Sequence, residues 1–164
     1  MSTFEKAFEK IIGLEGGYVN DSSDLGGETK FGISKRTYPH LDIASITLED
    51  AKAIYLRDWW MAYNYDRLQC EEVAIKTFDH SINMGAKNGH KLLQRACRAC
   101  GQYTKDDGLI GPHTIMAANS CNSKQLISAM KSEAAGLYRL FIYARKENQK
   151  FEKGWLRRAY EDRR

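Results

Sequence analysis

Proline is nearly missing from this chain, with only Pro39 and Pro112 in 164 residues. Helices can therefore run without the lost N–H and ring clash that proline brings to a helix interior. No long apolar run and no secretory leader pattern opens the chain, so synthesis in the cytoplasm is the expectation. Four cysteines, Cys70, Cys97, Cys100 and Cys121, are too few and too irregularly spaced for a dense disulfide framework. Cys97 and Cys100 have C-x-x-C spacing, but Leu92, Leu93 and Ala96 precede them at helical positions. No second pair or histidine couple completes a zinc set, so they read as core thiols.

Motifs with strong chemical meaning are also missing. The chain contains no G-x-x-x-x-G-K-[ST] loop, no G-x-G-x-x-G fingerprint, no G-x-S-x-G elbow and no H-E-x-x-H pair. Nucleotide hydrolysis, dinucleotide binding, serine esterase and zinc protease chemistry thus lose their usual support, and acid–base catalysis by carboxylates remains. Charge of one sign is scarce except at the end. Residues 145–164 hold eight Lys/Arg against four acids, while the rest balances at seventeen each, so the whole net charge of +4 lies in the tail. That excess is either a solvated helix face or an attraction to an anionic polymer or membrane surface. Nucleic acid is the weaker reading, and none is expected as a partner.

What is present is ordinary soluble-protein composition, 43% hydrophobic and 28% charged, which excludes compositional disorder. Amphipathic segments dominate, so the fold reads as mainly α, with the Gly-rich stretch from Gly16 to Gly32 as the candidate small sheet. Phe4, Phe8, Ile11 and Ile12 share a helix face behind a Ser2/Glu5 capping box, and Gly16-Gly17 is the expected stop. Thr47-Leu48-Glu49-Asp50 has capping-box spacing and opens a second helix through Ile54, Tyr55 and Trp59. Trp59, Trp60, Tyr63 and Tyr65 then crowd its end, either as core or as rings that stack on sugar faces. A third helix is predicted over Glu71–Met84, with Val73, Ile75, Phe78 and Ile82 inward, His80 outside the core or supporting a site, and Asn83 facing a cleft. A fourth is predicted over about Asn88–Cys100. Asp106-Asp107-Gly108 and Gly111-Pro112 then turn into a short helix, and a long one follows from Ser123.

Glu15 falls where the first helix should stop, at the negative end of its dipole and beside apolar residues. Both influences favour a protonated carboxyl, the state a general acid needs. Glycoside hydrolysis uses such an acid with a second carboxylate that activates water or steadies positive charge. Asp24 lies nine positions on, beyond glycines that permit a sharp turn, and Thr29 follows on the next strand. Its hydroxyl could orient a water or serve a cross-strand hydrogen bond.

Glu15-Gly16-Gly17-Tyr18, then Asn20-Asp21 with Asp24, Gly26-Gly27-x-Thr29 and Gly32-Ile33-Ser34, occur in this order. With Ala53-Ile54-Tyr55, Trp59-Trp60, Phe78-Asp79 and Asn83-x-Gly85, the chain resembles glycoside hydrolase family 108, the N-acetylmuramidases of phage endolysins and related bacterial proteins. Asp107-Gly108-x-x-Gly111-Pro112-x-Thr114 and Lys153-Gly154-Trp155-Leu156 resemble the predicted peptidoglycan-associated domain that commonly follows.

The resemblance implies a lysozyme-like helical fold with a β-hairpin region near residues 17–33. It implies a catalytic lobe over residues 1–93 and a helical peptidoglycan-associated lobe over 94–164, packed as one unit and acting as a monomer. It also implies cleavage of the peptidoglycan glycan strand between N-acetylmuramic acid and N-acetylglucosamine, with no cofactor. Glu15 is then the acid, Asp24 and Thr29 its catalytic partners, and Tyr18, Tyr55, Trp59 and Asn83 the substrate contacts. The Glu, Asp, Thr order is similar to that of phage T4-type lysozymes, with an Asp-to-Thr gap one residue shorter. Asp21 and Glu28 are the other candidates for the second carboxylate. Action on the wall would follow release through a membrane-permeabilising holin. A non-catalytic peptidoglycan-binding or secretion-associated module on the same fold is the competing expectation.

Overall fold

The computed structural model describes residues 1–13, 17–20 and 27–161. The chain divides into two compact units, Met1–Tyr63 and Asn64–Arg164.

The first unit opens with α1, Thr3–Ile12. The Ser2 hydroxyl accepts from the Glu5 N–H, and the Glu5 carboxylate accepts from the Ser2 N–H, so the predicted capping box forms. Such a cap stabilises a helix by about 1 kcal/mol. Glu5 also accepts from Lys52 at 3.0 Å, and its carboxyl is held down to about 2 by the Ser2 N–H first and then by Lys52. Phe4, Ala7, Phe8 and Ile11 form the buried face. The helix stops earlier than expected: Gly13, rather than Gly16-Gly17, is its C-cap, its N–H bonded to Glu9. Glycine pays the largest backbone entropy in a helix, so the first glycine after the apolar stripe ends it. Leu14, Glu15 and Gly16 lie outside the described residues, as do Asp21 to Gly26.

Three short strands, β1 (Tyr18–Asn20), β2 (Glu28–Lys30) and β3 (Ile33–Ser34), form an antiparallel meander in that order. Tyr18 pairs with Lys30 and Val19 with Thr29, and Lys30 pairs with Ile33 across the second turn. Phe31 and Gly32 make that turn with φ of 52° and 75°. Positive φ at both positions matches the right-handed strand twist, but for phenylalanine it is an unfavourable conformation.

Helix α2, Leu48–Tyr55, carries the predicted Thr47/Asp50 capping box and runs into a π-helical segment, Leu56–Met61. Adjacent rings there have different fates: Trp60 is buried against Phe4 at 5.6 Å, whereas Trp59 stays partly exposed. Phe8 packs on Tyr55 at 5.9 Å, so the two helices share an aromatic core.

In the second unit, α3 spans Glu71–Met84, the predicted range, and turns at Gly85 (φ 83°) into α4, Ala86–Ala99. Every residue from Val73 to Ser81 is buried. His80, placed outside the core by the spacing argument, is therefore inside it. Helix α3 packs against both α4 and the long helix α6, Ser123–Ala144, and this leaves it little solvated face. Gly89 makes the α3–α4 approach possible, because a Cβ there would lie 2.5–2.6 Å from Ser81. Helix α5 is Pro112–Ser120, with Pro112 in its first turn. A 3₁₀ turn over Lys146–Phe151 leads to α7, Glu152–Tyr160. Met84, Leu92, Ala134, Ala135, Tyr138 and Ala159 close one core cluster, which joins α3, α4, α6 and α7.

The loop after α4 is ordered by two buried polar side chains. Gln94 Nε2 donates to Asp107 Oδ1 at 2.7 Å and to the Leu109 carbonyl at 3.0 Å, while its Oε1 accepts from the Gly108 N–H at 2.9 Å. His90 Nδ1 lies 2.9 Å from the Gly108 carbonyl, and Gly108 has a φ of 76°. The Asp107-Gly108 turn is thus read by hydrogen bonds from one face of α4.

Candidate active site

The sheet sorts the predicted site residues by face, because strand side chains alternate. Tyr18, Glu28 and Lys30 share one face by register. Tyr18 is 46% exposed, and its hydroxyl donates to Glu28 Oε1 at 2.8 Å. Thr29 points to the opposite face, where its hydroxyl donates to the Gly27 carbonyl at 3.3 Å. Its oxygen retains acceptor capacity. Glu28 and Thr29 consequently cannot address one water from the same face, and Glu28 is engaged by Tyr18. Glu15, Asp21 and Asp24 lie outside the described residues.

Tyr55 departs from its expected role. Its ring is 1% exposed, and its hydroxyl donates to the Phe31 carbonyl at 3.2 Å. It packs in the core, where it ties α2 to the left-handed residue of the β2–β3 turn rather than presenting a ring to substrate. Trp59 keeps the geometry of a contact residue: partly exposed, it meets Tyr63 edge-to-face at 6.0 Å.

A cavity of about 540 Å³ in the same unit is lined by Tyr38, Leu41, Ile46, Ala53, Ile54 and Arg57, among others. At its edge the Tyr38 hydroxyl donates to Asp58 Oδ2 at 3.1 Å, and Arg57 Nη2 donates to the same oxygen at 2.8 Å. The Arg57 hydrogen bond holds the Asp58 carboxyl below the ordinary range, whereas burial and then the Asp58 charge push the Tyr38 phenol up. Tyr38 therefore stays a donor at neutral pH. Sequence reasoning missed this trio, since an aromatic and an acid twenty positions apart carry no periodic signal; only the Ala53-Ile54 step of the motif borders it.

In the second unit Asn83 is half-buried on the last turn of α3, and its Nδ2 donates to the Asp79 carbonyl at 2.7 Å and to Asp79 Oδ1 at 3.1 Å. The same Oδ1 accepts from Arg158 Nη2 at 3.2 Å and Nε at 3.3 Å. One basic residue of the C-terminal segment is thereby turned inward. Arg163 and Arg164 lie outside the described residues.

The thiols behave as the helical spacing suggests, with one addition. Cys97 is buried, and its thiol is pushed up to about 12, first by burial and then by Cys121 beside it. Cys121, one residue beyond α5, interacts with both Cys97 and Cys100, and burial raises its pKa as well. Protonated thiols of this kind are poor nucleophiles.

Comparison with known proteins places this geometry. The family model for Glycosyl hydrolase 108 matches residues 8–85, and that for Predicted Peptidoglycan domain matches residues 88–160. Among solved structures, the chain is similar to that titled "Structure of Brucella abortus SagA", with 26% identity and a TM-score of 0.78. The match covers 96% of this chain and 89% of that one. Comparison with curated proteins gives no match. The first model spans the Glu15-Gly16-Gly17-Tyr18 motif, the meander, α2 and α3; the second spans α4 to α7. With its mainly helical, lysozyme-like architecture, the chain carries a glycosyl hydrolase 108 segment over residues 8–85 followed by a peptidoglycan domain over residues 88–160, and is a glycoside hydrolase acting on peptidoglycan.

Proposed function

We propose that this chain is an endolysin-type N-acetylmuramidase that cleaves the β-1,4 bond between N-acetylmuramic acid and N-acetylglucosamine and so lyses bacterial cells. The observation that carries the reading is the Glycosyl hydrolase 108 match over residues 8–85, which contains the only Glu-Gly-Gly-Tyr run of the chain. Glu15 protonates the bridging oxygen as the bond breaks, and positive charge builds on the sugar ring. Asp24 and Thr29 hold the attacking water. Thr29 is suited to this, because its proton engages the Gly27 carbonyl and its oxygen is left to accept a hydrogen from water. A water that donates one hydrogen to Thr29 and the other to a carboxylate aims a lone pair at the anomeric carbon. The Tyr18–Glu28 hydrogen bond, on the other face, favours Asp24 over Glu28 as that carboxylate.

Tyr18, Trp59 and Asn83 contact the glycan in this reading, with the partly exposed rings stacking on sugar faces. The protein works as a monomer, is made in the cytoplasm, and reaches the wall once a holin has permeabilised the membrane. Its basic end, where Lys153 and Arg157 are exposed, draws it to anionic envelope polymer. Mass spectrometry of the products from purified peptidoglycan tests the bond assignment. Muropeptides ending in reducing N-acetylmuramic acid support it, and reducing N-acetylglucosamine, free stem peptides or intact glycan overturn it.

A further inference from the structure

We infer that Arg158, on α7 in the peptidoglycan-domain segment, is a positioning residue for Asn83: through Asp79 it orients the amide so that Oδ1 faces the glycan as a hydrogen-bond acceptor. This rests on the proposed role of Asn83 in substrate binding. The family models assign the two residues to different segments, 8–85 and 88–160, yet both belong to the second compact unit.

The orientation follows from the chemistry of the partners. A carboxylate and a backbone carbonyl accept hydrogen bonds and donate none. Both groups that face Asn83 are of this kind, the Asp79 carbonyl at 2.7 Å and Asp79 Oδ1 at 3.1 Å, so the amide nitrogen must face them. Its two N–H donors are thereby used, and Oδ1 is the atom turned away. Among the described residues no group donates to that oxygen. A glycan offers hydroxyl and acetamido N–H donors, and an acceptor oxygen on a half-buried helix end is suited to either.

Arg158 fixes the carboxylate that fixes the amide. Its Nη2 and Nε lie 3.2 and 3.3 Å from Asp79 Oδ1, the oxygen that also accepts from Asn83. The pair is sheltered, with side-chain exposure of 17% for Arg158 and 2% for Asp79. A guanidinium presents a planar fork of donors, so it holds the rotation of a carboxylate as well as its charge. Packing keeps α7 in place: Ala159 is in the core cluster, with Trp155 and Leu156 against it. Trp155 stacks on Tyr138 at 5.5 Å. One side chain of the peptidoglycan-domain segment thus sets the orientation of a polar group in the 8–85 segment.

The test is a double-mutant cycle in the full chain, with initial rates measured on purified, peptide-free glycan strands and with thermal melts alongside. Asn83→Ala and Arg158→Met should each lower kcat/KM by about 3- to 10-fold, the scale of one lost hydrogen bond. The double variant should be no worse than Asn83→Ala alone. If Arg158→Met does not fold, Arg158→Lys, which keeps the charge and loses the fork, carries the same cycle. The Asn83 side-chain amide resonances should move in either Arg158 variant. Multiplicative losses, or unmoved Asn83 resonances, overturn the inference while wild-type cleavage stands. A wild-type chain that cleaves no glycan overturns the proposed function instead.

Discussion

Tyr65 and His90 are joined by a 2.7 Å hydrogen bond between Oη and Nε2, deep in the second unit. The direction is set at the other end of the ring. The Gly108 carbonyl, 2.9 Å from Nδ1, can only accept, so Nδ1 carries the proton and Nε2 accepts from Tyr65. His90 is neutral in this arrangement, and burial holds its pKa below the ordinary 6.5.

A stability-versus-pH prediction follows from that shift. The unfolded chain protonates His90 near 6.5, whereas the folded chain resists protonation, so between the two pKa values the unfolded state binds more protons. The stabilisation is present above about pH 6.5 and is lost as pH falls through the lowered folded pKa. The melting temperature should decline below pH 6.5, and His90→Gln should flatten the decline while lowering stability at pH 7.5. An undiminished slope in that variant would contradict the assignment.

Tyr138 offers the opposite test. Its hydroxyl is buried without a hydrogen-bond partner among the described residues, and burial raises its pKa to about 12. A buried, unpaired hydroxyl costs about 1–3 kcal/mol of desolvation. Tyr138→Phe keeps the ring that stacks on Trp155 and removes that cost. Denaturant unfolding should show equal or higher stability, and a loss above about 1 kcal/mol would mean that the hydroxyl is engaged.

Tyr55→Phe addresses the β2–β3 turn. The lost hydrogen bond to the Phe31 carbonyl should cost about 1 kcal/mol, and it frees a residue held at a φ of 52°. Because Thr29 lies two residues before Phe31 in the same hairpin, glycan turnover should fall along with stability. Phe31→Gly in the Tyr55→Phe background should restore part of the stability, since glycine adopts positive φ without steric cost. No recovery in denaturant unfolding would place the strain elsewhere.

Local signals were the ones legible in the sequence. Both capping boxes and the limits of α3 depend on residues three or four apart, and each formed as the spacing required. The end of α1 differs from the expected one because Gly13 precedes a more conspicuous glycine pair. The expectation for His80 follows from the face of its own helix and that for Tyr55 from the family resemblance, but tertiary neighbours decide burial, and α3 has neighbours on several sides. Long-range polar partners were invisible for the same reason. Arg158 lies 79 positions from Asp79, and in the sequence it was one of eight basic residues in a tail. Gln94 reading the Asp107-Gly108 turn likewise had no linear signature, although the turn itself did.

In the proposed function, Glu15 is the proton donor of a glycan-cleaving site. Its most direct test is Glu15→Gln, which keeps shape and removes the titratable proton, assayed by reducing-end release from purified peptidoglycan. The melting temperature should be unchanged and the rate at least about 100-fold lower, the scale of general acid catalysis. Turnover within a few-fold of wild type would contradict that role.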